Sequence, residues 1–270
     1  MILYPLGSAA SASSNEIIPA WNAVAASQKQ NSPGWWLIAQ PDHAALAGEL
    51  AAQFDTPEFP RPDDEIVRAI ALHDAGWARY DGGALAGGGK GNAPQPPRDP
   101  NGRPLSFLQA PVTMFVEAWI ASIQCAEEKA GAIGGLMVSG HFRRLGEHRL
   151  NSVADSPENT ARIRAFLQHE ANEDAARLSR QSRSCSEVEH LVDLLQFCDL
   201  LSLYLCCGSR ASVQFPQAVG SRSVVLRRDG ELCLLDPSPF REEISLGVPA
   251  RREPVSRSEP STCVLPVLVR

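Results

Sequence analysis

The stretch Ile66–Trp77 constrains the fold more than any other, because an apolar helical face here ends in two side chains of the kind that bind metals. Pro62 suits the first position of a helix, and the acidic residues after it favour a helix N-terminus. Apolar residues recur at helical spacing as far as Ile70, and His73 and Asp74 lie three and four residues further on. The spacing therefore predicts a helix whose buried face carries both polar side chains.

A carboxylate on a buried face is costly unless it is paired, hydrogen-bonded or bound to a metal. Taken alone, the pair His73-Asp74 also suits the last turn of an ordinary helix, with Gly76 ending that helix. A metal site at this position requires further ligands that face inward from other parts of the chain.

Two other predicted helices supply such side chains. In the helix from Pro41 to Phe54, His43 shares a face with apolar residues, although one such histidine is also typical of a core residue bonded to a carbonyl. A capping box at Ser186–Glu189 opens a helix to about Cys207, in which Asp199 interrupts an apolar stripe. A satisfied buried aspartate without metal remains an alternative for Asp199.

The middle of the chain adds a third inward-facing histidine. An apolar helix from Val112 to Lys129 is followed by a second from Ala132 to about Leu150, and His141 lies on the apolar face of the second. Arg143 and Arg144 flank this histidine. A further helix opens at the N-cap Ser156 and is mostly polar, so its His169 is excluded from any site.

Composition limits the classes of protein. With 270 residues, of which 44% are hydrophobic, the chain can bury the core of one large domain or of one domain with a small appendage. A net charge of −6 argues against binding to nucleic acid or to anionic membranes, and no apolar run approaches the length of a membrane span. The seven cysteines lie largely in apolar runs, so we expect a cytoplasmic protein without a disulfide framework.

Changes in composition along the chain predict its organisation. We expect a poorly ordered N-terminal extension 1–34, a helical domain 35–208, a small β unit 209–250 packed on the bundle, and a loose tail 251–270. The β unit contains a hairpin that turns at Asp229-Gly230. The predicted fold class is mainly α, a helical bundle with a small C-terminal β-hairpin appendage.

The glycine- and proline-rich stretch 81–104 interrupts the helical pattern and predicts a flexible loop. Because it directly follows the helix with His73, it is a candidate lid whose Lys90, Arg98 and Arg103 would supply cations to an anionic substrate. A solvated insertion without such a role is an equally good interpretation.

The ordered set His43, His73-Asp74, Asp199 resembles the ligand pattern of the HD superfamily of metal-dependent phosphohydrolases. Five stretches lie within about residues 35–250: Leu37–His43, Ala71–Trp77, Gly102–Phe107, Leu195–Leu203 and Asp236–Phe240. They resemble, more closely still, the HD-like bacterial domain-of-unknown-function family 3891. The resemblance implies an HD-type helical bundle in which His43, His73, Asp74 and Asp199 hold a divalent cation. A mixed set of nitrogen and oxygen ligands suits Mn, Fe, Ni, Co or Zn better than Ca.

The resemblance also implies a reaction, hydrolysis of a small phosphoester or nucleotide by a metal-activated water. By resemblance, Asp74 would orient or deprotonate the water. His141 would complete a second metal site or protonate the leaving oxygen, with Arg143 or Arg144 pairing the phosphate. The expected partner is a small anionic, phosphorylated substrate, with no nucleic acid and no membrane.

Departures from the superfamily leave the substrate open. The chain has no adjacent His-His pair and no Gly-Tyr-Pro signature, and Ala75-Gly76-Trp77 stands where some nucleotidase-type relatives have an acidic pair. Two alternatives therefore remain: a metal- or ligand-binding regulatory module of HD fold without turnover, and a di-iron HD-type oxygenase.

Overall fold

The computed structural model of the chain describes residues 1–6, 16–85, 97–219, 222–254 and 261–270. Within these ranges the α-helices are α1 Ala20–Lys29, α2 Gln40–Ala52, α3 Asp64–Ala71, α4 Ala78–Leu85, α5 Val112–Ser152, α6 Pro157–Leu178 and α7 Cys185–Cys206. The strands are β1 Ile2–Pro5, β2 Ile17–Pro19, β3 Trp35–Ile38, β4 Ser212–Val219, β5 Arg222–Asp229, β6 Leu232–Asp236, β7 Ile244–Glu253 and β8 Thr262–Val269.

All eight of these strands form one mixed sheet in the order β1-β3-β7-β8-β6-β5-β4-β2. The pairs β2–β4 and β6–β8 are parallel, and the other neighbours are antiparallel. The longest register joins β7 to β8, from Ile244 opposite Val269 to Arg251 opposite Thr262. Strands from both ends of the sequence therefore meet inside a single sheet.

The predicted fold class is wrong. Helices make up 53% and strands 21% of the structure, so the protein is an α/β fold with a sizeable sheet, and neither all-α nor a bundle with a hairpin appendage. The predicted hairpin is present as β5 and β6, but it is only the middle of the sheet. Short apolar runs do not distinguish strand from helix on their own, and most partners of these strands lie far away in sequence.

The two ends of the chain contribute to that sheet. Strand β1 lies in residues 1–34 and pairs with β3, and strand β8 lies in residues 251–270 and pairs with β7 and β6. The Gln28 side chain accepts a hydrogen bond from Leu3 N at 2.8 Å and donates one to Leu3 O at 2.9 Å. This amide therefore satisfies backbone groups of the edge strand β1, as a neighbouring strand would.

Local sequence signals decide where the helices begin and break. Ser156 caps α6 as predicted, since its side chain accepts a hydrogen bond from Asn159 N. The capping box of α7 uses Ser184 and Glu187, two residues before the predicted one. Gly131, with φ of 71°, breaks α5 into the two helices that the sequence predicted.

The sheet and the helices share one core. Helices α1, α2 and α7 contact the sheet; α3 packs on α2 and α7, and α5 packs on α3 and α7. One cluster of buried apolar side chains runs from Leu50 and Ile70 in the helices to Val213 and Val248 in the sheet. Helices α2 and α7 therefore lie between the sheet on one side and helices α3 and α5 on the other. None of the helices in the described ranges is both long and apolar enough to cross a membrane.

Candidate metal centre

The first site residue is His43, in the first turn of α2. Strand β3 leads directly into this helix, and the His43 side chain is completely buried. Its Nε2 lies 3.2 Å from Asp199 Oδ1. Its Nδ1 is buried too and has no hydrogen-bond partner among the described residues. The buried imidazole of His43 therefore faces a carboxylate on a distant helix. Among the described residues, its Nδ1 lacks the backbone carbonyl partner that an ordinary core histidine would have.

The second and third site residues, His73 and Asp74, lie in a turn just beyond α3. The helix ends at Ala71, earlier than the predicted end at Gly76. His73 is completely buried, and its Nδ1–H donates a hydrogen bond to Ile70 O at 2.7 Å. This bond fixes the ring so that Nε2 faces the site, as is usual for histidines that bind metals.

The turn is held against α5 by a close backbone approach. Gly76 N–H donates a hydrogen bond to Ser122 Oγ at 2.9 Å. A Cβ at Gly76 would lie 2.1 Å from Ala118 O, so a larger residue does not fit without movement. Sequence reasoning treated Gly76 as a helix end and did not identify Ser122, whose only signal is a hydroxyl in an apolar run of α5.

Asp199 of α7 lies between the histidines. Its Oδ1 is 3.2 Å from both His43 Nε2 and His73 Nε2, and its Oδ2 is 3.9 Å from His141 Nε2. Asp74 Oδ2 is 3.6 Å from His43 Nε2 and 3.9 Å from His73 Nε2. The structure thus brings together all four residues that the resemblance implied as ligands, with His141 beside them.

The distances between the imidazole nitrogens and the carboxylate oxygens resemble those between neighbouring ligands of one metal ion. Ligand atoms that bind an ion at about 2.1 Å lie about 3.0 Å apart in neighbouring positions and up to about 4.2 Å apart in opposite ones. The four separations between an imidazole nitrogen of His43 or His73 and a carboxylate oxygen of Asp74 or Asp199 run from 3.2 to 3.9 Å, within that interval. The ligand atoms of His43, His73 and Asp74 lie within 4.8 Å of one another and form a cluster that could hold a metal ion, and this cluster does not include Asp199.

Burial and charge set the protonation of the cluster. Burial raises the pKa of Asp74 above its usual range, although both neighbouring histidines oppose the rise. For Asp199, burial also acts to raise the pKa, but hydrogen bonds to His43 and His73 hold it well below its usual range. The side chains of Asp74 and Asp199 are only 9% and 14% exposed.

Two of the three buried histidines of the site, His73 and His141, differ in charge. Burial acts to lower the pKa of His73, but the hydrogen bond to Asp199 and its negative charge raise it to about 9. Burial lowers the pKa of His141 to about 3, so its imidazole is neutral at neutral pH. The Nδ1 of His141 is buried and has no hydrogen-bond partner in the described part of the chain.

The arginines predicted to bind phosphate contact acidic residues. Arg143 donates a hydrogen bond to Asp174 Oδ2 of α6 at 3.0 Å. Arg144 donates to Asp193 Oδ1 of α7 at 2.6 Å and to Gln196 Oε1 at 2.8 Å, and it also pairs with Glu189. A direct role of either guanidinium toward a phosphate stays a prediction.

The predicted lid is described only in part, because residues 86–96, with Lys90, lie outside the described ranges. The described cations of the loop bind protein groups. Arg98 pairs with Glu253 of β7, and Arg103 donates to carbonyl oxygens at the end of α1, including Lys29 O at 3.2 Å. These contacts attach residues 97–103 to α1 and to the sheet.

A family model matches residues 27–253 and is described as "Protein of unknown function (DUF3891)". The matched region contains every residue of the metal centre. The chain belongs to the DUF3891 family. No curated protein and no solved structure matches it significantly. The case for a function of this DUF3891 member therefore depends on the geometry of its own residues.

Proposed function

We propose that this protein is a metal-dependent phosphohydrolase acting on a small phosphoester or nucleotide. One observation carries the proposal: the Nε2 atoms of His43 and His73 each lie 3.2 to 3.9 Å from an oxygen of both Asp74 and Asp199, which come from separate segments. The order His43, His73-Asp74, Asp199 along the chain also resembles the ligand order of the HD superfamily. We extend the proposal to membership of that superfamily.

The donor set favours a transition metal. Two imidazole nitrogens and two carboxylate oxygens suit Mn, Fe, Ni, Co or Zn, whereas Ca prefers oxygen ligands alone. His43 and His73 would bind through Nε2, and Asp74 and Asp199 through the oxygens that face those nitrogens. The hydrogen bond from His73 Nδ1–H to Ile70 O supports this role, because it fixes the orientation of the ring.

A divalent ion in this cluster supplies Lewis acidity, which makes water a nucleophile near neutral pH and polarises a phosphoryl oxygen. The protein's own groups perform the remaining steps. The carboxylate of Asp74 would orient or deprotonate the attacking water.

The properties of His141 favour one of its two predicted roles. A neutral imidazole with a pKa of about 3 has a lone pair for a metal but no proton ready for a leaving oxygen. Its Nε2 faces Asp199 Oδ2, whereas the other carboxylate oxygen faces His43 and His73. We therefore favour a ligand role for His141 over a general-acid role.

The metal content of the purified protein tests the site. Plasma mass spectrometry of the wild type should find a near-stoichiometric transition metal, which Asp74→Asn and Asp199→Asn lose. Asp155→Asn is the matched control, because the side chain of Asp155 is also largely buried, at 9% exposure, and pairs with Arg149 away from the site. A wild type that is purified without metal and takes up none of Mn, Fe, Ni, Co or Zn refutes the proposal.

The reaction is tested separately with wild-type protein that has been loaded with one of these metals. Hydrolysis of para-nitrophenyl phosphate or bis-para-nitrophenyl phosphate should appear with metal and disappear in Asp74→Asn and Asp199→Asn. If the fully metal-loaded protein hydrolyses neither these two esters nor any of a panel of nucleotides, the hydrolase proposal is contradicted. The alternative of a metal- or ligand-binding regulatory module then remains. Oxygen consumption by iron-loaded protein would instead support the oxygenase alternative.

A further inference from the structure

Helices α5 and α7, which carry His141 and Asp199, approach each other closely. A Cβ at Gly140 would lie 2.7 Å from Val192 Cγ2, so the glycine leaves room for a side chain of α7. The distance between His141 Nε2 and Asp199 Oδ2 is 3.9 Å. A shift of α7 relative to α5 would therefore change the site directly.

Arg144 connects the same two helices one turn away from the site. Its guanidinium contacts Glu189, Asp193 and Gln196, with Nη1 at 2.6 Å from Asp193 Oδ1 and 2.8 Å from Gln196 Oε1. These acceptors are spaced by four and three residues, so they lie along one face of α7. The side chain of Arg144 is 32% exposed, and one cation faces two carboxylates. The planar guanidinium holds several acceptors in a fixed geometry, which a lysine does not.

The positions of these residues relate the contact to the metal centre. His141 precedes Arg144 by three residues on α5, and Asp199 follows Gln196 by three residues on α7. Each pair is about 4.5 Å apart along its helix axis, less than one turn. The Arg144 contact is thus within one turn of a site residue on both helices. The N–H groups of Arg144 that could bind a phosphate already donate to acceptors on α7.

We propose that Arg144 is a positioning residue: by binding Glu189, Asp193 and Gln196 it fixes α7 against α5 and so places Asp199 between the three histidines. The expected effect of Arg144 on catalysis rests on the proposed metal function. Its effect on the position of Asp199 beside the imidazoles does not, and it is measured separately in metal-free protein. This role replaces a direct contact of Arg144 with the substrate phosphate.

The test compares Arg144→Met with Arg180→Met. Arg180 is a suitable control, because its guanidinium pairs with Glu127 and its side chain is 55% exposed. Asp193→Asn is a second variant that removes one contact if Arg144→Met folds poorly. Circular dichroism first establishes that each variant is folded.

The first measurement uses metal-free protein and needs no activity. Long-range 1H–15N spectra report the ring nitrogens of the histidines, with signals assigned through His73→Gln and His141→Gln. The His73 and His141 signals should shift in Arg144→Met and Asp193→Asn and stay at wild-type positions in Arg180→Met. Unchanged signals in folded Arg144→Met overturn the positioning role, whether or not the protein binds metal.

The second measurement titrates the metal-free variants with Co2+ and follows its visible absorption. Arg144→Met should weaken Co2+ binding about 10- to 100-fold and alter the ligand-field bands, as loss of a group that supports metal ligands commonly does. With para-nitrophenyl phosphate, kcat should fall while KM stays near the wild-type value. A raised KM with unchanged Co2+ affinity and bands overturns the proposal and assigns Arg144 to the phosphate.

Discussion

Replacing Gly76 by alanine tests whether the backbone approach behind Asp74 shapes the site. Gly76 lies in the short 3-10 turn Ala75–Trp77, and its Cβ would be 2.1 Å from Ala118 O, 2.8 Å from Ser122 N and 2.9 Å from Ala121 Cβ. The first two neighbours are backbone atoms of α5, which cannot rotate away. The turn must therefore withdraw from α5 and take Asp74 with it.

The expected loss of stability follows from three terms. Overpacking a buried contact costs about 1–3 kcal/mol. Loss of the hydrogen bond from Gly76 N–H to Ser122 Oγ adds about 1 kcal/mol, and the lower entropy of alanine in the unfolded chain offsets about 0.4–1 kcal/mol. We expect the free energy of unfolding to fall by about 2 kcal/mol. We also expect Co2+ affinity to fall about tenfold or more, because Asp74 loses the support of its turn.

Urea denaturation and Co2+ titration of Gly76→Ala measure both effects. The matched control is Gly146→Ala in α5, where a Cβ would meet the flexible end of Leu167 at 3.1 Å and Ile163 Cγ2 at 3.5 Å. Because alanine also favours a helix over glycine by up to about 1 kcal/mol, Gly146→Ala should be neutral or stabilising. A Gly76→Ala protein with wild-type stability and wild-type Co2+ affinity would refute the reasoning.

Three further predictions concern stability. In chelated, metal-free protein, the pKa of His73 is about 9 when folded and near 6.5 when unfolded. Its protonation therefore contributes about 3 kcal/mol to the free energy of unfolding below pH 6.5, and this contribution is lost as the pH rises through 9. Urea titrations at pH 6.5 and 9.5 measure the difference. Arg177→Met should cost about 3–5 kcal/mol in urea unfolding, because Glu170, only 2% exposed, loses its partner at 2.8 Å; a loss under 1 kcal/mol would contradict this. Phe240→Ala should cost about 3–5 kcal/mol in the same assay, since the ring is buried 5.8 Å from Phe54; a stability equal to that of wild type would exclude an anchoring role.

The metal centre illustrates what periodicity can predict. Apolar spacing indicated that His43, His73 and Asp199 face inward, because a helix places residues three and four apart on one side. The structure brings these side chains together with separations of 3.2 Å. Sequence reasoning located the helix end after His73 too late, since the chain already leaves the helix at Leu72. It could not identify the acceptors of Arg144 on α7, which lie 45 to 52 residues away, and the role of Arg143 or Arg144 toward a phosphate stays a prediction.

The sheet illustrates what periodicity cannot predict. The hairpin β5–β6 was predicted because both strands and their turn are neighbours in sequence. Strand β1 pairs with β3, which follows only after β2 and α1, and strand β8 pairs with β6 as well as with its sequence neighbour β7. A run of four apolar residues near the N-terminus carries no information about such a partner.

By itself, the sequence determined the helices of the metal centre and the inward direction of its polar side chains, because helix periodicity and capping are local properties. Only the tertiary structure decided that the layers form an α/β fold and that Asp199 lies between His43 and His73. Those outcomes depend on contacts across more than a hundred residues, such as His73 with Asp199, and on the close approach of Gly76 to α5. Such contacts arise from packing the whole core, which no local pattern specifies.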